Sequence, residues 1–298
     1  MAVKPAKPYV LFISLICIGI FMKVISVVGY KKTGKTTLVT RLVEKLSGKG
    51  KVGTVKQMCH HRFNPENTDT GKHFDSGAAA VAAITDGELV LVRRNPSLSK
   101  ALDALADSGM DFAIVEGAKK SSLPKIVLGD LDNIDEVQNI VARLPARADW
   151  DIDTLAELVM QQDDWATLGL LIEQVKLDPR IKQAGGIGTF TGIVRQFSEG
   201  VETKALHFEK YEKVAEEAMK KICNDLMQRE GVLDIRMHHR TGTIKQGEDI
   251  VYIVVAAAHR QELFTALTDA LEMLKAEVPV WKKELTIEGD FWVHDVEK

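Results

Sequence analysis

Residues 23–36 read Lys23-Val24-Ile25-Ser26-Val27-Val28 and then Gly29-Tyr30-Lys31-Lys32-Thr33-Gly34-Lys35-Thr36. The first six are mostly apolar and β-branched, the composition of a parallel strand buried on both faces. The next eight satisfy G-x-x-x-x-G-K-[ST]. Leu38, Leu42 and Leu46 follow at i, i+4 and i+8, the stripe of a helix that Gly48 or Gly50 can end. Strand, glycine loop and helix stand in the order that separates a phosphate loop from a chance match. Gly29 and Gly34 let the backbone curl with successive N–H groups inward, and the helix start adds its positive dipole end. Nucleotide contacts are therefore expected at Gly29, Tyr30, Lys31, Lys32, Thr33, Gly34, Lys35, Thr36 and Thr37, with Lys35 on the terminal phosphates and the Thr36 hydroxyl on Mg²⁺.

Further βα units follow. Residues 51–56 (KVGTVK), 88–92 (ELVLV) and 111–115 (DFAIV) read as strands, and Leu98, Leu102 and Leu105 mark a helix that Gly109 can close. Alternation of this kind predicts a P-loop α/β domain with a mostly parallel sheet, whose ligands sit at the carboxyl ends of strands. Glu116 stands at such an end and is a candidate Mg²⁺ residue beside Thr36. The polar loop 57–70 contains Cys59, His60, His61 and Asp69. Neighbouring side chains on extended backbone point in alternating directions and cannot all face one ion, so a phosphate-facing or gating loop is expected rather than zinc. Residues 133–158 read as partly helical and amphipathic, interrupted by Pro145. The polar run from Met160 to Asp164 then marks a junction. The expected organisation is an apolar extension over 1–21, a nucleotide-binding domain over 22–160, a linker over 161–168 and a second domain over 169–298.

Composition narrows the class. The 298 residues are 45% hydrophobic and 27% charged, and 39 Lys+Arg against 42 Asp+Glu leave a net charge of −3. That excludes a disordered tail, a collagen-like chain and a polytopic membrane protein, and it supplies no overall basic field for nucleic acid. Cys17, Cys59 and Cys223 are odd in number and without C-x-x-C, which points to a reducing cytoplasm. The apolar run from Tyr9 to Phe21, behind Lys4 and Lys7, has the layout of a signal peptide but lacks a small-residue cleavage site and is shorter than the roughly 20 residues of a spanning helix. The expectation is that Met22 is the true start or that the first 21 residues are a dispensable extension.

In the second half, residues 185–195 combine glycines with β-formers and end on Arg195. Residues 205–209 are expected to be the hairpin partner of that strand. Val214, Ala218, Ile222 and Leu226 mark a helix, residues 235–238 and 249–257 are strands, and a helix runs from Glu262 to Lys275. Strands and helices mix here without βα alternation, so an α+β domain is expected. Pattern alone gives the lysines ordinary roles: Lys275 complements a helix C-terminus, and Lys282 and Lys283 are solvated strand positions.

Two family resemblances go further. GYKKTGKTTL, GTVKQMCHH, the segment around Asp69 with HFDSGAAAV, and FAIVEGAKKSSLPKIV resemble the GTP-binding adaptor of molybdopterin-guanine dinucleotide biosynthesis over about residues 22–160. That resemblance implies GTP with Mg²⁺, weak GTPase activity, dimerisation, and help to the enzyme that attaches GMP to molybdopterin. Gln57 stands where the family usually has His, and no N-K-x-D base-reading motif occurs. TFTGIVR, ALHFEKY, HHRTGTIKQGE, AAAHR, LKAEVPVWKKE and GDFWV resemble the large, catalytic subunit of molybdopterin synthase over roughly residues 170–293. This second resemblance implies an α/β hammerhead fold, a dimer, and a pocket for cyclic pyranopterin monophosphate lined by Ile193, Val194, Arg195, His259, Arg260, Lys275, Lys282, Lys283 and Glu284. The implied partner is a small ubiquitin-like sulfur carrier ending in a glycine thiocarboxylate. In such a cationic cluster Arg195 and Arg260 offer forked donors for phosphate, and Lys275 or Lys282 can serve as general acid/base while the other neutralises negative charge. No tightly bound organic cofactor is expected. The reading is thus a bifunctional fusion in molybdenum cofactor biosynthesis; its alternative is a P-loop kinase or GTPase switch carrying a non-catalytic binding module.

Overall fold

A computed structural model of the chain describes residues 21–58, 66–198, 201–287 and 289–293. They fall into two compact units that divide between Thr167 and Leu168. The first contains β1 (Met22–Gly29), α1 (Lys35–Ser47), β2 (Val52–Lys56), α2 (Asp69–Asp75), β3 (Ala80–Ile84), β4 (Leu89–Arg93), α3 (Leu98–Asp107), β5 (Phe112–Glu116), β6 (Lys125–Leu128), β7 (Ile140–Leu144), α4 (Ile152–Met160) and β8 (Asp164–Trp165). Its sheet has the order β2-β5-β1-β6-β7, all parallel, with β8 antiparallel on β1. The apolar run at residues 23–28 is β1, central and almost wholly buried. Leu38, Leu42 and Leu46 of α1 pack with Ile25, Val27, Ile114 and Ile126 in one core.

Three expectations are corrected here. Residues 88–92 do not join the parallel sheet: β4 pairs antiparallel with β3 in a separate hairpin. Only the turn Thr85–Glu88 joins them, and parallel pairing needs a crossover of a dozen residues or more. Residues 133–158 are not one interrupted helix, for they hold the half-buried edge strand β7 before α4. Val137, Val141 and Leu144 fall at helical spacing by coincidence, while Asn133 and Asn139, both with φ 55°, break the chain on either side of a short 3₁₀ turn. Of the expected linker 161–168, all but Leu168 is built into the first unit: β8 pairs with β1, the Trp165 indole N–H donates to Asp103 at 3.0 Å and Thr167 Oγ1 donates to Asp107 at 2.5 Å.

The second unit contains α5 (Leu168–Leu177), β9 (Gly186–Ile193), β10 (Phe197–Ser198), β11 (Val201–Lys210), α6 (Glu212–Met227), β12 (Val232–His239), β13 (Gly242–Lys245), β14 (Asp249–Ala257), α7 (Arg260–Glu277), β15 (Val280–Thr286) and β16 (Asp290–Val293). One sheet runs β12-β14-β9 with α6 and α7 packed on a face through Ile222, Leu226, Ile253, Val255, Ala270 and Leu274. The other runs β10-β11-β15-β16 with β13 also on β11. Residues 205–209 are therefore not the hairpin partner of β9, which pairs instead with β14 from Gly186↔Ala257 to Ile193↔Asp249. The local hairpin is made by β10 with the start of β11, which leaves β9 to a partner more than fifty residues away. Among the described residues no helix is long and apolar enough to cross a membrane. Residues 9–20 of the apolar run, and Cys17, Cys59, His60 and His61, lie outside the described residues.

Candidate functional site

The carboxyl ends of β1 and β5 frame the first site. Gly29 passes so near Leu128 that a Cβ there would stand 2.7 Å from the Leu128 carbonyl oxygen, and Gly34 takes φ 100° as the N-cap of α1. That cap has no side-chain hydrogen bond and the first turn holds no acid, so the orphan N–H groups of α1 are left for an anion. A cavity of about 530 Å³ opens over them, lined by Lys31, Lys32, Lys35, Thr36, Thr37 and Glu116 together with Gly34 and Arg147. Gly29, Tyr30 and Thr33 hold the loop from behind: Thr33 Oγ1 donates to the Tyr30 carbonyl at 3.0 Å, and the Tyr30 hydroxyl donates to Asp132 at 2.7 Å. Lys35 Nζ donates to the Tyr30 carbonyl at 2.6 Å, folding its ammonium across the loop.

Thr36 Oγ1 donates to both Glu116 carboxylate oxygens, at 3.2 and 3.1 Å, so the two candidate metal residues are in contact. Oxygen donors of this kind suit Mg²⁺. Lys56 Nζ lies 3.2 Å from the same carboxylate, a cation sequence reading missed. Gln57, in the usual His position, has a plain structural role: its Oε1 accepts the Ala118 N–H at 2.9 Å where Gly117 and Ala118 take positive φ.

Arg147 was also missed. It follows β7 with φ 52°, its N–H donates to the Thr33 carbonyl at 3.0 Å and its Nε to the Lys32 carbonyl at 2.6 Å. The signal available was the position alone, one loop beyond a strand at the carboxyl edge of an α/β sheet.

In the second unit the candidate residues divide into two groups. Val194 is buried with Phe208 and Ile244, and Val280 packs against them. Arg195 leaves that cluster exposed, as does Ile193. Lys282 is the register partner of Phe208 and shares its face of the sheet. Lys275, near the end of α7, pairs with Glu272 at 3.3 Å. Arg195, Lys275 and Lys282 thus belong to one end of the unit. His259 and Arg260 belong to the other, beside the start of β9, because α7 turns back along β14 and Lys275 lies 15 residues, about 22 Å of helix rise, from Arg260. Both are exposed, and neither has an ion-pair partner among the described residues. The helix dipole disfavours a cation at this N-terminus, so helix stability does not explain Arg260. Lys283 faces the other side of the sheet, opposite His207, and pairs weakly with Asp290 at 3.5 Å. Glu284 is buried and accepts from the Thr203 hydroxyl, so it is already satisfied.

Sequence comparison matches residues 161–277 to the MoaE protein family model and residues 24–142 to that of molybdopterin guanine dinucleotide synthesis protein B, MobB. A probable molybdopterin synthase from Haloferax volcanii is 38% identical over 276 residues, which is 92% of this chain and all of that protein. The chain belongs to the molybdopterin synthase family. It carries a MobB region and a MoaE region in one polypeptide, as the fusion reading expected. The molybdopterin synthase catalytic subunit of Pyrococcus abyssi is 38% identical over 109 residues, 37% of this chain and 74% of that protein. Among solved structures, molybdopterin synthase from Staphylococcus aureus aligns at 32% identity and a TM-score of 0.37, covering 38% of this chain and 82% of that one. Family membership places the chain in molybdenum cofactor biosynthesis.

Proposed function

We propose that the MoaE region converts cyclic pyranopterin monophosphate to molybdopterin, with sulfur delivered by the thiocarboxylate tail of a small carrier protein, and that the MobB region binds GTP with Mg²⁺ to assist formation of the guanine dinucleotide form. The observation that carries the first part is the division of cations described above. One copy holds Arg195, Lys275 and Lys282 at one end and His259 with Arg260 at the other. A twofold dimer brings the first group of one subunit against the second group of its partner, and so makes two complete pockets. In each, the arginine forks hold the substrate phosphate. Of Lys275 and Lys282, one acts as general acid/base, giving a proton as the ammonium and taking one as the amine, while the ammonium of the other neutralises the carboxylate released from the carrier.

In the MobB region, Thr36 and Glu116 are the residues that would hold Mg²⁺, whose chemistry is to neutralise the β- and γ-phosphate oxygens. Lys35, once released from the Tyr30 carbonyl, adds a point charge to the same phosphates.

The test is intersubunit complementation. Purified chain, thiocarboxylated carrier and cyclic pterin are assayed for molybdopterin. Arg260→Ala and Lys282→Ala should each lose turnover; refolded together, they should regain up to about a quarter of the parental rate, since half the dimers are mixed and each mixed dimer has one intact pocket. Mixtures no more active than either variant would exclude the shared pocket.

A further inference from the structure

The phosphate loop has a charged neighbour that its motif does not contain. Arg147 lies on the opposite side of β1 from Glu116: in the sheet order β2-β5-β1-β6-β7, Glu116 ends the strand next to β1 on one flank and Arg147 follows the strand two places away on the other. At about 4.8 Å per strand, the strands they follow, β5 and β7, lie about 14 Å apart across the sheet. Both line the same cavity. Thr36, Glu116 and Lys56 mark the end for the terminal phosphate and its metal, so the Arg147 end is where the nucleoside falls.

The loop around Arg147 is a built element. Trp150 is buried, its indole N–H donates to the Pro145 carbonyl at 2.9 Å, and its ring lies so close to Gly34 that a Cβ there would stand 2.9 Å from Cη2. The two hydrogen bonds from Arg147 to the Lys32 and Thr33 carbonyls pin the residue to the phosphate loop. They use its backbone N–H and Nε and leave both terminal nitrogens for a ligand. No carboxylate pairs with the guanidinium among the described residues.

From this geometry we infer that Arg147 reads the purine base and selects guanine, doing in this chain what an N-K-x-D aspartate does elsewhere by a different set of hydrogen bonds. The inference rests on the guanine-nucleotide reading of the MobB region. A guanidinium offers only donors, in a planar fork. Guanine presents two acceptors, O6 and N7, at the spacing of that fork, whereas adenine presents N7 beside the N6 amino donor. The fork is therefore satisfied by guanine and opposed by adenine. An aspartate would instead accept from N1–H and the 2-amino group, so inosine, which keeps O6 and N7 but lacks that amino group, separates the two modes.

The experiment measures affinities of the full chain, with Mg²⁺, for the β,γ-imido analogues of GTP, ATP and ITP. The parental chain should bind the GTP and ITP analogues alike, and about tenfold or more tighter than the ATP analogue. Arg147→Gly removes the fork without strain, because glycine accepts the positive φ and keeps the N–H bond to Thr33. It should lower GTP and ITP affinity at least tenfold and not lower ATP affinity, since the donor that opposes the adenine amino group is gone as well. Arg147→Lys keeps the charge but not the fork, and should behave like the glycine variant. Equal loss for all three nucleotides, or rescue by lysine, would make Arg147 a phosphate ligand and overturn the inference, as would a tenfold preference for GTP over ITP. Lys35→Ala tests the underlying site: if triphosphate binding survives it undiminished, the phosphate-loop reading itself fails, whatever the base preference.

Discussion

His239 is buried on β12 with its ring centroid 5.0 Å from that of Phe208, edge to face, its Nδ1 at 2.8 Å from the Arg240 carbonyl and Lys210 close by. Burial pushes its pKa down to about 4 from 6.5, opposed by the Arg240 hydrogen bond and aided by the charge on Lys210. A depressed imidazole pKa means that the folded unit prefers the neutral ring. Above pH 6.5 nothing is lost. As pH falls from 6.5 towards 4 the unfolded chain takes up a proton that the folded one refuses, and about 3 kcal/mol of stability disappears. His239→Gln should remove this dependence: the drop in unfolding midpoint between pH 7 and pH 4.5 should be several degrees smaller than in the parental chain. Equal drops would show that other groups cause the acid loss. At this scale Lys35, Thr36 and Glu116 could be read from the sequence because one local motif and one strand end specify them. Arg147 could not, since its role depends on a left-handed backbone that arginine does not advertise and on a contact 115 residues away. Pattern could not tell Arg260 from a surface charge either, until the helix direction showed it at the end the dipole disfavours.

Elements carry the next constraint, and Gly185 shows how. It precedes β9 and passes directly against Ala258, whose backbone carbonyl a Cβ would overlap, and the next residue along is His259. Gly188 makes the same concession to Leu263 of α7. The opening glycines of the second unit are therefore packing devices that let β9 lie under the start of α7. Gly185→Ala should cost about 1–3 kcal/mol, the usual price of overpacking against atoms that must shift. It should also weaken cyclic pterin binding, because the backbone it displaces carries His259 and Arg260. Thermal unfolding and pterin titration together check this; unaltered affinity at a lowered midpoint would separate the glycine from the site. Periodicity predicts β1, β2, β5, β14, α1 and α7 but takes the stretch that holds β7 for helix, and it does not give the partners. β3 with β4, and β9 with β14, are decided by turn length and by long-range register, and alternation of apolar residues contains neither.

The whole chain is two units, and the place where they part follows from β8. Two of the residues expected to form a free linker complete the first sheet: Met22 pairs with Trp165 and Lys23 with Asp164. Lys23 Nζ meets Asp164 at 2.6 Å and the Gln162 carbonyl at 2.7 Å, both in partly buried surroundings, while Trp165 and Thr167 tie α3 down through Asp103 and Asp107. A fragment of residues 22–167 should therefore fold and bind triphosphate, whereas one of residues 22–160 loses β8 and these contacts. Counting one partly buried ion pair, two side-chain hydrogen bonds and the indole packing, the shorter fragment should be about 2–4 kcal/mol less stable. In a unit of this size that lowers the Tm by roughly 5–15 °C. Nucleotide affinity of the folded fraction should not change, because β8 lies at the amino end of β1 and the phosphate loop at its carboxyl end. Calorimetry of the two fragments with and without nucleotide measures both quantities. Equal midpoints would mean that β8 is an ornament of the sheet, and that the boundary belongs at residue 160 after all.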